Sequence, residues 1–398
     1  QKGDVLMTEL HKIAYIEEWK GHYGQNILAG ILMALALLPV AIAFSFIVHI
    51  KPTLGLMSCG LMMCLISLFG KRLAMVSGPS SGISIIGGPL VEQYGVHYLA
   101  LATILMGMIL FIYGLCHIDK ILKLIPNTVV MGFMNALGLL LLWTQMKYIF
   151  GISIATYVVS ALTFIIIFIS SRTIKVIPAP LITIIVLTFA TWLIHPNLQY
   201  VHDMADIHFS MPSIHIPQEM FELSAFFIAL KYAFTMSVIS VIQTNLTNDM
   251  MNMISQHPTN KDREIVGQGL SNIIVGLFGG YGSSGLVGQS KFNYRMGART
   301  RVATLTTGIF LLLCVFVLGQ LVGLIPMVVL ASVLITISFN TFDRRTFQHI
   351  KGAPVKRGLV MGLTMILILI TNNLAIGVIA GTLFYYILRL FFKKEGTE

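Results

Sequence analysis

Two short stretches of this 398-residue chain carry groups that could hold a ligand, and their text is the same. One reads Gly78-Pro79-Ser80-Ser81-Gly82, the other Gly282-Ser283-Ser284-Gly285. Each lies where Gly or Pro interrupts an apolar run that then resumes, so each marks a broken helix restarting at its serines. A helix start leaves about four N–H groups without intrahelical partners and roughly half a positive charge. Two such starts turned toward each other make a site of about +1, lined with hydroxyls and needing no basic side chain. That arrangement suits a small anion. The same glycines also admit a plainer reading, close helix packing.

Composition says what must carry these stretches. Hydrophobic residues make up 56% of the chain and charged ones only 11%, with mean hydropathy +0.85. A water-solvated surface needs about 25% charged residues, so a soluble enzyme and a single-anchor protein are both excluded. Apolar runs between charge and Gly/Pro punctuation give fourteen spans, from 26–48 to 374–392. The broken stretches fall in the third (73–93) and the tenth (279–295). Seven spans apart, they belong to halves of opposite orientation, the pattern that marks a transporter's midplane site. Extended chain from residue 73 reaches about 20 Å beyond Lys71-Arg72, near the bilayer centre. There Pro79 opens the third-span helix as its first residue, and the tenth-span helix opens near Ser283. The expected fold is an all-α polytopic membrane protein, two inverted seven-span repeats with half-helices in spans three and ten.

The net charge is +10, from 26 Lys and Arg against 16 Asp and Glu. In a membrane chain this reads as cytoplasmic loops rather than affinity for nucleic acid. With the N-terminus inside, 23 basic residues fall on inner segments, only Lys51 and Lys147 on outer loops, and Lys231 within a span. Both termini are therefore expected on the cytoplasmic side of the cell membrane. The expected organisation is an amphipathic N-terminal segment (1–25), a first repeat (26–195), an extracellular loop (196–221), a second repeat (222–392) and a short cytoplasmic tail (393–398). Within the first segment, 10–23 reads as a short amphipathic helix on the inner surface. The first 22 residues hold no apolar stretch of the kind a cleavable signal peptide has, so none is expected among them.

Other chemistry finds little support. Cys59, Cys64, Cys116 and Cys314 all lie in apolar runs without metal-binding spacing, and no metal or other cofactor is expected. His202, His208 and His215 of the outer loop read as unliganded. No GxSxG, HExxH or Walker-type motif is present, so the expected protein is not an enzyme, and transport must be passive, exchange-driven or ion-coupled. Lys231 reads equally as a functional intramembrane charge or as a side chain snorkelling to the interface. Asn135 and Gln145 read as interhelical hydrogen-bond partners, and Asn248 and Asp249 as solvated at the inner end.

The chain resembles the SulP (sulfate permease) family of inorganic-anion transporters, which includes prestin-type exchangers and cyanobacterial bicarbonate transporters. The resemblance covers about residues 26–392. It rests on Leu38-Pro39-Val40-Ala41-Ile42-Ala43-Phe44, on Gly132-Phe133 with Gln145 and Gly151, and on the run from Asp262 to Asn272. Phe278-Gly279-Gly280, Gly297-Ala298-Arg299, Ile325-Pro326 and Ala375-Ile376-Gly377 complete it in order. It implies core and gate domains, a homodimer and elevator-like motion. Carried over by position, it implies an anion site of Phe44, Ser80, Ser81, Ser284, Gly285 and Leu286.

Two departures from the family pattern bear on substrate and coupling. Gln243 stands where many members have an acidic residue, four before the retained Thr247, so cation binding there lacks its charge. Gln289 stands where many have Arg, which favours a monovalent anion (bicarbonate, nitrate or halide) over sulfate. The family's usual STAS domain does not follow residue 392 in this sequence. Two alternatives remain open: a nucleobase or dicarboxylate permease of the same architecture, and a channel-like anion conductor.

Overall fold

In a computed structural model the described residues are 15–117, 124–174, 176–204, 222–342, 346, 354–371 and 373–391. The tail 393–398, His208 and His215, and most of the N-terminal amphipathic segment lie outside them. The helices of nine residues or more among the described residues are α1 (Tyr23–Val48), α2 (Pro52–Phe69), α3 (Ser81–Tyr94), α4 (Val96–Leu115), α5 (Asn127–Gln145), α6 (Ile154–Thr173) and α7 (Ala179–Ile194). There follow α8 (Leu223–Ser255), α9 (Lys261–Leu277), α10 (Val287–Arg295), α11 (Arg301–Val322), α12 (Met327–Thr341), α13 (Pro354–Thr371) and α14 (Leu374–Phe391). Six of them are long and apolar enough to cross a membrane, among them α1, α2 and α8. Phe168 of α6 and Trp192 of α7 stand exposed on outer faces, as apolar side chains do where lipid replaces water.

Local signals place several ends. Pro52 opens α2, Asn260 caps α9 by accepting from the Arg263 N–H at 3.1 Å, and Ser153 caps α6 by accepting from the Thr156 N–H. A single residue, Gly95 at φ 95°, joins α3 to α4, a turn that a side chain would strain. The N-terminal helix expected over 10–23 does not reach that far. Helical geometry stops at Glu17, the chain turns through Gly21 and His22 at positive φ, and α1 begins at Tyr23. Glu18 in this turn bridges Lys71 and Arg301.

Close helix contacts run through small residues. Gly107 of α4 meets backbone of Gly269 and Ile273, and Gly269 of α9 meets backbone of Phe111; a Cβ at either would come within 2.7 Å of those atoms. Gly114 and Gly276, two turns on, repeat the contact. With no water to expel between helices in lipid, such backbone approach supplies the packing energy. Polar partners confirm one expectation and correct another. Asn135 donates to Thr346 at 2.9 Å and to the Met361 sulfur of α13 at 3.8 Å, whereas Gln145 donates to its neighbour Thr144. Asn248, expected to be solvated, is fully buried with both amide atoms unpartnered.

The chain is not wholly helical. Between α2 and α3, Ser77–Gly78 forms β1; between α9 and α10, Ser284–Gly285 forms β2; the two pair antiparallel.

Candidate functional site

The two broken segments meet at this ladder. Ser77 stands opposite Gly285 and Gly78 opposite Ser284, and the Leu286 N–H donates to the Val76 carbonyl at 2.9 Å. Backbone that leaves a helix at membrane depth must find such partners, because lipid offers none. Each strand then runs into a helix. Ser80 precedes α3 in extended geometry (φ −121°, ψ 154°), and Leu286 precedes α10 likewise (φ −112°, ψ 107°). Both helices therefore start later than the sequence suggests, at Ser81 rather than Pro79 and at Val287 rather than Ser283. The cause is the ladder, which keeps the intervening residues extended.

The first intrahelical bonds run from Ser84 to the Ser80 carbonyl and from Ser290 to the Leu286 carbonyl, both 2.9 Å. The N–H groups of Ser81, Gly82 and Ile83, and of Val287, Gly288 and Gln289, precede them and carry the positive ends of the two helices. No side chain caps either start. The Ser80 hydroxyl is buried and unpartnered. Such an orphaned group costs about 1–3 kcal/mol until something bonds it.

Helix α8 lies against both segments. Gln243 accepts from the Ser284 hydroxyl at 2.6 Å, and its side-chain nitrogen lies 3.4 Å from where a Cβ on Gly82 would stand. One glutamine thus reaches the tenth segment and the first turn of α3. Thr244 accepts from the Gly285 N–H at 3.1 Å, while Thr247 spends its hydroxyl on the Gln243 carbonyl at 2.7 Å. The close approach requires glycine at 285, where a Cβ would lie 3.0 Å from the Thr244 Cα. Phe44 is buried in the same apolar cluster as Val76 and Leu286. Gln289 is half-buried at the third position of α10.

The sequence reading missed the residues that hold the segments in place. Glu264, Gln268 and Asn272, spaced four apart on α9, form a fully buried polar stripe. Glu264 accepts the N–H groups of Lys71 (2.5 Å) and Arg72 (2.7 Å), fixing where the third segment begins. Gln268 accepts from the Ser77 hydroxyl at 2.9 Å and donates to the Ser283 carbonyl at 2.8 Å. Asn272 accepts from the Ser283 N–H at 2.8 Å and donates back to its carbonyl at 3.2 Å. The signal was present: Glu264, Gln268 and Asn272 recur at one-turn spacing, which puts them on one helix face. From α10, Ser290 accepts from the Val76 N–H and Asn293 donates to the Ala74 carbonyl.

Comparison with known proteins agrees with this architecture. The sequence matches the model of the sulfate permease family over residues 24–161 and 152–356. YbaR of Bacillus subtilis, which carries a sulfate-transporter name, is 34% identical over 367 residues, 92% of this chain and 77% of YbaR. The bicarbonate transporter BicA of Synechocystis sp. is 24% identical over 379 residues, 88% of this chain and 67% of BicA. Among solved structures, the transmembrane domain of a cyanobacterial BicA superposes with a TM-score of 0.80 at 21% identity, covering 91% of this chain and 98% of that one. The murine Slc26a9 anion transporter in its inward-facing state gives 0.83 at 17% identity, covering 96% and 71%. On the matched sequence, the relatives and the apolar helices together, the chain is a multi-pass membrane protein belonging to the sulfate permease family.

Proposed function

We propose that the chain is a secondary transporter of a small inorganic anion, held between the starts of α3 and α10. The observation that carries this reading is the β1–β2 ladder, which joins the two segments just ahead of their uncapped helix starts, while Gln243 holds Ser284 beside the first turn of α3. Ser80, Ser81, Ser284, Gly285, Leu286 and Phe44 line the proposed site, with Gln243, Thr247 and Gln289 at its edge. The side chains and backbone nearest Gly78, Gly82 and Gly285 belong to Cys59, Leu286, Ile239, Gln243, Leu137, Met75, Thr244 and Thr247, none of them charged. A site of about +1 from helix ends alone matches a monovalent anion better than a dianion, which favours bicarbonate, nitrate or a halide over sulfate. The proposed frame is fourteen spans in two inverted repeats, with core and gate domains in a homodimer and both termini cytoplasmic. Alternating access is by elevator-like motion.

Competition in proteoliposomes tests the reading. Bicarbonate, sulfate, nitrate, chloride and oxalate are each added against a labelled anion, with and without sodium and a pH gradient. Saturable uptake displaced by monovalent anions is expected. A conductance without saturation would instead make the protein a channel, and displacement by nucleobases alone would make it a permease of another substrate class.

A further inference from the structure

A cavity of about 690 Å³ opens at the end of the bundle that bears the α1–α2 turn. This is the far end of α2 from Lys71 and Arg72, and the extracellular end in the proposed orientation. Its floor is apolar: Phe46 of α1, Leu140 of α5 and Ile85 and Ile86 of α3. Ile85 lies four residues into α3 from Ser81, roughly 6 Å along the axis. The cavity thus stops about one helical turn short of the proposed anion site, and Ser80, Ser81 and Ser284 are not among its lining residues.

Its walls carry charge. Lys147 comes from the short turn Met146–Tyr148 that follows α5, Lys231 from α8, His49 from just after α1 and Glu92 from the last turn of α3. Two ammonium groups therefore face one carboxylate. Among the described residues neither lysine forms an ion pair; Lys147 lies over the Tyr148 ring at 5.0 Å. An unpaired lysine nine residues into a membrane helix is costly unless it faces water or an anion, and the cavity supplies that setting for Lys231. At about 30 Å³ per water, the space takes an anion together with much of its hydration shell.

We propose that this cavity is a capture site, where Lys147 and Lys231 concentrate a hydrated small anion before it passes the Phe46, Ile85 and Ile86 floor to the helix ends. The proposal rests on the transport reading above but concerns different residues. Positive walls of low dielectric raise the local concentration of an anion and its rate of arrival, an effect that salt weakens. Glu92 opposes it.

Nitrate uptake by proteoliposomes of each orientation tests the proposal. In K147Q/K231Q, both sites being exposed side chains, the apparent KM for nitrate presented at the cavity end is expected to rise about tenfold. Vmax, and the KM from the opposite end, should stay as in the native protein. E92Q should lower the KM at the cavity end. An unchanged KM, or an equal rise from both ends, overturns the proposal. A separate measurement distinguishes this from failure of the transport reading. Nitrate binding to detergent-solubilised S81E, in which the central site is blocked, should persist weakly and disappear when K147Q/K231Q is added. Binding that survives in the triple variant places the anion elsewhere and also overturns it.

Discussion

Ser284 donates its hydroxyl to the side-chain oxygen of Gln243 at 2.6 Å, so the tenth segment is tied to α8 by a neutral acceptor. A carboxylate in that place would accept equally well while adding a full negative charge beside Ser284 and the first turn of α3. Gln243→Glu is therefore expected to fold, because the bond survives, but to lower anion uptake at least tenfold. Repulsion between two unit charges 4 Å apart is about 4 kcal/mol at an effective dielectric of 20. The native protein, lacking that charge, is expected to take up anion at the same rate in sodium as in potassium medium. A steep sodium requirement of native uptake would remove this reading of Gln243.

Ser81→Glu places a carboxylate at the first residue of α3, where the helix dipole welcomes a negative charge. It should therefore remain folded while occupying the anion's position. Uptake should fall below detection in a variant that purifies as a single species; normal transport by such a variant would refute the site.

Gln268→Leu and Asn272→Leu each remove partners from the buried Ser283 backbone. The loss should be about 1–3 kcal/mol for each variant, read as a lowered Tm in detergent, with uptake reduced because the tenth segment loses its hold. A Tm unchanged in both variants would mean that water replaces these bonds.

Gly269→Ala sets a Cβ 2.6 Å from the Phe111 backbone nitrogen. Backbone cannot yield as a side-chain tip can, so α4 and α9 must separate. A loss of about 1–3 kcal/mol is expected, against little change for Gly358→Ala, where a Cβ meets nothing within 4 Å. Thermal unfolding of the two variants side by side checks this.

His49 faces Glu92, Lys147, Lys231 and Tyr232 around the cavity. Burial, and then the Lys147 charge, hold its pKa below the ordinary 6.5, with Glu92 opposing. The folded protein thus binds this proton less readily than the unfolded chain, so His49 lowers stability as pH falls through 6.5 toward the folded value. Below that value the cavity gains a positive charge. Stability should decline and anion affinity at the cavity end should increase on acidification, and His49→Gln should flatten both profiles.

Much of the architecture was legible because apolar runs and their punctuation set helix length directly. The expected span 98–116 is the helix Val96–Leu115, and 302–320 is Arg301–Val322. The break in each special segment was also legible at Gly78-Pro79 and at Gly279-Gly280, although a third such cluster, Gly87-Gly88-Pro89, stays within α3. What the chain did not reveal is where each helix restarts. Pro79 is a good first helical residue by local preference, yet Gly78 pairs with Ser284, and pairing across more than two hundred residues outweighs local preference. The stripe Glu264, Gln268 and Asn272 was readable as a pattern, but its partners are backbone groups of other segments, which no side-chain motif announces.

The two-residue ladder also sets an order on biosynthesis. Ser77 and Gly78 leave the ribosome some two hundred residues ahead of Ser284 and Gly285. At 5–20 residues per second the interval is roughly 10–40 seconds. Throughout it, the nascent third segment holds peptide groups that hydrocarbon cannot satisfy. The first half must therefore wait in a hydrated setting, beside the insertion machinery or around trapped water, until the second half arrives to close it.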